Sequence, residues 1–160
     1  MARRWPFALA AAVVAADRIS KRIIETQVND WDIFRVIPGL FQIVHTRNTG
    51  VAFGIFSEQG SGTGRLLLVA FSLAVMALVG NLLWGACRNL KEHWTLAAAL
   101  ALVLGGAAGN LYDRVVFGSV TDFLDFYWRS HHFPVFNLAD SAITVGAGLL
   151  LLNLWAVRRG

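Results

Sequence analysis

The sequence predicts a mainly α membrane protein with four transmembrane helices and a small β-rich segment on the outer face. Of its 160 residues 56% are hydrophobic and only 15% are charged, whereas a soluble domain ordinarily carries about 25% charged residues. Three stretches of near-spanning length contain no charged residue: Leu66–Cys87, Trp94–Tyr112 and Ser141–Val157. Runs rich in Ile, Val and Phe, punctuated by Gly and Asn, lie between the first two predicted spans, as in short strands.

A first span is predicted at Trp5–Ile24, a stretch that would form about 30 Å of helix. The apolar positions Ile19, Ile23 and Ile24 continue a helical stripe past the charge of Asp17. The opening "MARRWPFALAAAVVAADR" also has the basic start, apolar centre and Ala-rich end of a secretory signal peptide, so that alternative stays open. Counted as a span, the first helix completes one integral membrane domain over residues 1–160, with spans at 5–24, 66–87, 94–112 and 139–157.

Basic residues predict the orientation of the chain. Four spans place both termini and the loop at 88–93 on one side of the membrane. These short pieces carry Arg3, Arg4, Arg88, Lys91, Arg158 and Arg159, so the density of positive charge, although not the raw count, favours cytoplasmic termini. The net charge of +4 is not gathered in a block of Lys and Arg, so we expect no nucleic-acid partner.

Two longer segments are predicted on the outer face. The first is β-rich over about residues 31–56, where "LFQIVHT" and "VAFGIF" partly alternate apolar and polar residues. It is too short to fold alone, so we expect it to lie on the membrane surface. The second segment, 113–139, links the third and fourth spans and carries several acids and histidines.

Small residues predict close helix packing. Gly105 and Gly109 are four residues apart in the third span, as are Gly106 and Asn110, so each pair shares a helix face. The glycines at 146 and 148 are expected to do the same in the fourth span.

Polar residues near an apolar span are functional candidates, because placing them there is costly. In "DRISK", Asp17 and Lys21 have the spacing of a helical ion pair. In "GNLYDR", Asn110 and Arg114 share a face, and Arg114 can orient a carboxylate or carbonyl through forked hydrogen bonds. Asn48 in "NTGVAFG" offers a donor and an acceptor to an extended peptide.

Two further motifs bring acids to the same membrane face. "FNLAD" predicts Asn137 as the N-cap of the fourth helix, with Asp140 at the third position of a capping box. "VTDFLDF" places Asp122 and Asp125 among aromatic residues. The third span runs outward and the fourth inward, so Asp122 and Asp140 lie on one side. Two such carboxylates in a partly dry site share a proton and can act on water as acid and base, without a metal, Ser or Cys.

Other chemistries remain open at this point. The residues His131, His132, Asp122, Asp125 and Asp140 include enough ligands for a metal ion. Alternatively, Asp17, Asp122 and Asp140 are titrating sites of a small ion-coupled carrier, or the glycine faces belong to a non-enzymatic scaffold. The single cysteine, Cys87, excludes an internal disulfide and a multi-Cys metal site.

Taken together, the five motifs "DRISK", "NTGVAFG", "GGAAGNLYDR", "VTDFLDF" and "FNLADSAI" resemble the bacterial lipoprotein signal peptidase (signal peptidase II) family. They extend in this order from Asp17 to Ile143 and are specific as a set. The resemblance implies a multi-pass aspartyl endopeptidase of the bacterial cytoplasmic (inner) membrane, with its site near the outer, periplasmic face. It further implies cleavage of diacylglyceryl-modified prolipoproteins just before the lipidated cysteine, contact with membrane lipid, no cofactor or metal, and a monomer.

The resemblance also assigns roles by motif position. Asp122 and Asp140 match the catalytic dyad of the family. The residues that it implies position the peptide or the dyad are Asn48, Asn110, Arg114 and Asn137, while Asp17 and Lys21 are structural. Asp125 is then the second-best acid, exposed or structurally paired. The segment Glu25–Arg65 resembles the family's small surface sheet and its loop over the cleft.

Overall fold

The structure is a computed structural model that describes residues 4–50, 62–89 and 93–158. Within these ranges the helices are α1 (Trp5–Gln27), α2 (Gly62–Ala86), α3 (Trp94–Val116) and α4 (Leu138–Val157). The strands are β1 (Phe34–Ile37), β2 (Phe41–Asn48), β3 (Val120–Trp128) and β4 (His131–His132). A 3₁₀ turn at Cys87–Asn89 follows α2.

Among the described residues, three helices are long and apolar enough to cross a membrane: Gly64–Asn89, Trp94–Val116 and Leu138–Ala156. Helix α1 is not among them, because its C-terminal half contains Asp17, Arg18, Lys21 and Arg22. The predicted mainly α membrane protein with a small β-rich segment is therefore confirmed, and its strands form an antiparallel sheet. Length and composition support three crossing helices rather than the four predicted from the sequence.

Helix α3 lies between the other helices, and its glycines allow the backbones to approach closely. A Cβ atom at Gly105 would lie 2.7 Å from the Ala10 backbone oxygen of α1. A Cβ at Gly106 would touch the backbone oxygen of Ala139 in α4 and lie 2.8 Å from Ile143 Cγ1. The predicted small-residue faces are thus confirmed for α3.

In α4 the glycine prediction is half right. A Cβ at Gly146 would lie 2.7 Å from the backbone oxygen of Ala99 in α3. The prediction for Gly148 is wrong, because no atom lies within 4 Å of the position of its Cβ. On a helix, residues two apart point in different directions, so only one of the two glycines faces α3.

The four strands form one antiparallel sheet in the order β1-β2-β3-β4. Strands β1 and β2 fall inside the β-rich segment predicted from the sequence, whose residues 51–56 lie outside the described part of the chain. Strand β3, which packs beside β2 from far along the chain, was not predicted from the sequence. At the start of β3 residues on both faces are buried, so the alternation that marks a half-buried strand is absent.

Strand β3 attaches the sheet to the helices. Successive side chains of a strand point to opposite faces, so Asp122 and Phe123 project in opposite directions. Phe123 packs against Ile24 and Val28 at the end of α1. Asp122 consequently points to the other face of the sheet.

The close approach of α3 to α4 predicts that Gly106→Ala lowers the free energy of unfolding by about 1–3 kcal/mol, the usual cost of overpacking. The added methyl group must push apart two backbones that now touch. Thermal unfolding of the purified protein in detergent measures the effect.

Gly80→Ala in α2 is the matched control, because a Cβ there meets no atom within 4 Å. This variant should unfold at or slightly above the wild-type temperature, since alanine favours helix over glycine. Equal losses in both variants would contradict the packing argument.

Candidate active site

The site is built on a buried lysine. The Nζ atom of Lys21 lies 2.8 Å from Asp17 Oδ2, 2.9 Å from Asn110 Oδ1 and 2.7 Å from Asp113 Oδ2. The side chains of Lys21 and Asp17 are 0% exposed and that of Asp113 is 1% exposed. The predicted Asp17–Lys21 ion pair is confirmed. Because removing charges from water is costly, such a cluster is stable only when each charge is compensated.

Arg18 supplies the second positive charge of this cluster. Its guanidinium donates to Asp113 Oδ1 and lies 3.8 Å from Glu25 Oε2. Two cations therefore face the two buried carboxylates of Asp17 and Asp113. This role of Arg18 was not predicted from the sequence, although its spacing of three from Lys21 places it on a neighbouring part of the same helix face.

Asp17 also joins α1 to the beginning of α4. Its Oδ1 atom accepts a hydrogen bond of 3.0 Å from the backbone N–H of Ala139, one of the first N–H groups of a helix, which lack partners within the helix. Gly109 makes room for this contact, since a Cβ there would lie 2.6 Å from Asp17 Oδ2. A single carboxylate thus links α1 to α4 by a hydrogen bond and packs closely against Gly109 of α3.

Lys21 determines which way the amide of Asn110 points. An ammonium group can only donate, so the atom of Asn110 that faces it must be the oxygen. The nitrogen of the same amide then faces Asp140 and donates to its Oδ1 at 2.8 Å. The buried lysine therefore ensures that Asn110 presents a hydrogen-bond donor to Asp140, one of the two candidate catalytic acids.

Asn137 contacts both candidate acids. Its Oδ1 accepts the backbone N–H of Asp140 at 3.0 Å, and Asp140 Oδ2 accepts the backbone N–H of Asn137 at 3.2 Å. This is the capping box predicted from the sequence. With its oxygen engaged, Asn137 turns its Nδ2 towards Asp122 Oδ1, 2.6 Å away, and towards Asn110 Oδ1 at 3.2 Å.

Asn48 completes the set from the end of β2. Its Oδ1 accepts the backbone N–H of Gly50 at 2.8 Å, so its Nδ2 is the group that donates to Asp122 Oδ2 at 3.0 Å. Gly50 has a positive φ of 88°, a conformation that glycine adopts without strain. Each oxygen of Asp122 therefore has one amide donor, from Asn48 and Asn137.

The two acids differ in their surroundings. Asp122 is 3% exposed, whereas Asp140 is half-buried. Burial raises the pKa of the Asp122 carboxyl above its ordinary value of 3.8, and the nearby charge of Asp140 raises it further. The hydrogen bonds from Asn48 and Asn137 and the charge of Lys21 oppose this rise in pKa without cancelling it. The fold therefore favours the protonated form of Asp122 more than water does.

Arg114 lies beside this network without contacting either candidate acid through a hydrogen bond. Its Nη1 donates to the backbone oxygen of Asn110 at 3.3 Å. Its Nε is buried and has no hydrogen-bond partner among the residues that the structure describes. Arg114 therefore keeps donor capacity next to the site.

Asp125 is paired elsewhere. Its Oδ2 accepts from Gln42 Nε2 at 2.7 Å and lies 2.8 Å from His132 Nδ1, and alternation along β3 turns it away from Asp122. The candidate metal ligands are thereby divided between two faces of the sheet. Within the ranges described, no three His, Cys, Asp or Glu side chains could hold a metal ion.

Two carboxylates held by oriented amides near the beginning of an apolar helix form the arrangement that an acid–base hydrolase in a membrane protein requires. The signal peptidase (SPase) II family matches residues 9–156, and the chain belongs to this family of peptidases.

Relatives cover nearly the whole chain. A lipoprotein signal peptidase of Solibacter usitatus (strain Ellin6076) is 46% identical over 98% of this chain and 94% of its own length. One from Symbiobacterium thermophilum (strain DSM 24528 / JCM 14929 / IAM 14863 / T) is 41% identical over 94% of each. A solved bacterial membrane enzyme is 31% identical with a TM-score of 0.79, over 93% of this chain and 91% of its own.

The charge cluster predicts that Lys21→Met lowers the free energy of unfolding by about 3–5 kcal/mol, because Asp17 and Asp113 stay buried without the ammonium group. Arg22→Met removes a charge from the next residue, which is exposed, and should change stability little. Chemical unfolding of both variants in detergent measures the difference. Similar stabilities for the two variants would contradict the role of Lys21.

The raised pKa of Asp122 predicts a pH-dependent effect of Asp122→Asn. In wild type the protonated carboxyl of Asp122 stabilises the folded state. This stabilisation is complete below pH 3.8, the ordinary pKa of the group, and is lost as the pH rises through the raised pKa. The unfolding temperature of Asp122→Asn should therefore rise relative to wild type as the pH increases towards neutrality.

The control for this pH series is Thr46→Val. It removes a hydroxyl that donates to the Asp122 backbone oxygen at 3.0 Å and leaves the titrating groups in place. Its difference from wild type should not vary with pH in the same range. A constant difference for Asp122→Asn as well would argue against a raised pKa.

Proposed function

We propose that the chain is a lipoprotein signal peptidase. It removes the signal peptide from diacylglyceryl-modified prolipoproteins by cutting just before the lipidated cysteine. Asp122 and Asp140 act as a two-aspartate acid–base pair on a water molecule. The names of the relatives and the family match support this substrate class.

One observation carries the proposed mechanism: Asn137 contacts both acids at once. Its amide nitrogen lies 2.6 Å from Asp122, and its backbone N–H lies 3.2 Å from Asp140. Residues 18 positions apart in the sequence are thereby held next to one another. Because the amides of Asn48, Asn110 and Asn137 can present only donors to the carboxylates, the pair is oriented before substrate binds.

In the first half of the reaction, Asp140 accepts a proton from water while the water oxygen attacks the scissile carbonyl carbon. Asp122, the drier acid, donates its proton to the carbonyl oxygen, and a tetrahedral diol forms. This assignment follows from the raised pKa of Asp122 and the greater exposure of Asp140.

In the second half, the proton on Asp140 passes to the leaving amide nitrogen and the carbon–nitrogen bond breaks. A diol hydroxyl returns a proton to Asp122 as the new carboxylic acid group forms. One water is consumed and both acids recover their starting protonation. Arg114 holds the peptide near the dyad, since its Nε has no hydrogen-bond partner among the described residues.

We further propose that α1 crosses the membrane as a fourth span, despite its charges. Asp17 and Lys21 are fully buried against the other helices, so lipid does not meet them. Ile19 and Ile23, on the outward-facing side, are 62% and 54% exposed, as expected for lipid contact. With four crossings, both termini lie in the cytoplasm and the site lies near the outer face of the bacterial inner membrane. The chain then forms a single integral domain, which we propose acts as a monomer.

Family membership favours this peptidase over the ion-coupled carrier. The position of Asp17 argues in the same direction. A carrier acid must bind and release its ion, whereas Asp17 is engaged by Lys21 and by the backbone of α4. We therefore assign Asp17 and Lys21 a structural role.

Cleavage of a diacylglyceryl-modified prolipoprotein by the purified protein in detergent tests the proposal. Asp122→Asn and Asp140→Asn should each reduce kcat by about 10²–10⁴-fold or more, the range for loss of a general acid or base. Wild-type cleavage should occur just before the lipidated cysteine and persist in the presence of a chelator. Mass spectrometry of the products identifies the bond that is cut.

Asp125→Asn is the matched control, since Asp125 is an equally buried aspartate three residues from Asp122 on the same strand. It should retain activity once folding has been verified by thermal unfolding. Full activity in a folded Asp122→Asn or Asp140→Asn variant would exclude the dyad. Absence of cleavage by folded wild type on several prolipoproteins would exclude the substrate class.

A further inference from the structure

An open groove lies at the opposite end of the molecule from the acids, where α2 ends and α3 begins. Its volume is about 440 Å³, within the range of about 300–1,000 Å³ typical of small-molecule sites. One wall is a single face of the α2 end, with Asn81, Trp84, Gly85 and Arg88 at helical spacing. His93 and Leu96 form the other wall.

Asn81 is an exposed polar residue of this groove in a mainly apolar helix. It lies within the apolar helix α2, its side chain is exposed, and it has no hydrogen-bond partner among the described residues. An unpaired amide facing hydrocarbon is costly, so this position calls for a ligand. Asn81 is seven residues from Arg88, or about 10 Å along the helix axis.

The mouth of the groove favours an anion. Arg88 and His93 line it, and among the residues that the structure describes no Asp or Glu does so. Neither side chain has a hydrogen-bond or ion-pair partner within residues 4–50, 62–89 and 93–158. The exposed ring of Trp84 lies beside them, in the manner of tryptophans at a membrane interface.

We propose that this groove binds one anionic glycerophospholipid. Arg88 and His93 bind the headgroup phosphate, Asn81 donates to an acyl ester carbonyl deeper in the bilayer, and Leu82 and Leu96 form the apolar sides of the groove. The order of Arg88 and Asn81 along the helix matches the order of phosphate and ester in the lipid. Basic grooves between membrane helices are suited to such headgroups. The assignment to the inner leaflet, but not the site itself, rests on the proposed topology.

Gly85 keeps the groove open. A Cβ at this position meets no atom of the described residues within 4 Å, so a larger side chain can enter the groove without disturbing the packing of the helices. Gly80 in the same helix also has no atom within 4 Å of its Cβ but does not line the groove. The pair Gly85→Leu and Gly80→Leu therefore separates blockage of the groove from a general effect of the substitution.

The test is native mass spectrometry of the full chain, purified in detergent and titrated with phosphatidylglycerol or phosphatidylcholine. Wild type should retain one phosphatidylglycerol more tightly than phosphatidylcholine. Arg88→Gln should weaken this binding about fivefold, the effect of one basic residue on an anionic headgroup, and Gly85→Leu should abolish the preference. Gly80→Leu and Arg158→Gln, which removes a basic residue outside the groove, should bind as wild type does.

Equal retention of the two lipids by wild type would overturn the proposal, as would unchanged binding by Gly85→Leu and Arg88→Gln. Equal weakening by the two control variants would indicate nonspecific attraction instead. Displacement of the lipid by free glycerol 3-phosphate would identify a site for a soluble phosphate and refute a lipid site. Binding is measured without prolipoprotein, so a failure of the proposed peptidase activity would not affect this result.

Discussion

The ammonium group of Lys21 is the contact on which the rest of the site depends. A fully buried cation is unstable without compensation. Here the ammonium group donates hydrogen bonds to Asp17 and Asn110 and forms an ion pair with Asp113. These partners come from two helices, and Asp17 extends the connection to the backbone of a third. The geometry of α1, α3 and α4 is thereby coupled to one charge.

That charge also determines which amide atom faces one of the acids. Lys21 can only donate, so the oxygen of Asn110 must face it and the nitrogen must face Asp140. The amide of Asn137 is oriented in the same way by the backbone N–H of Asp140. Buried networks of this kind are stable when every member is satisfied and costly when one is not. The orientation of the acids is therefore a consequence of folding that does not require substrate.

Local patterns were readable from the sequence, and distant contacts were not. The Asp17–Lys21 pair, the capping box at Asn137 and the close packing at Gly106 each depend on spacing within a few residues of one helix. The sequence did not indicate that β3 is a strand, because its first residues are buried on both faces.

Contacts between distant residues were equally hidden. The bond between Arg18 and Asp113 joins residues 95 positions apart, and no local pattern specifies it. The proximity of Asp122 and Asp140 was predicted only because the opposite directions of two spans place both acids on one membrane face.

For the proposed reaction, the structure adds a difference in burial between the two acids that topology alone could not supply. Asp122 is enclosed by the sheet and by amide donors, while Asp140 stands half-buried at a helix start. A carboxyl group shielded from water favours its protonated form, whereas a more exposed one is accessible to water. The placement of the pair beside a helix end, rather than in mid-membrane, therefore suits a hydrolysis.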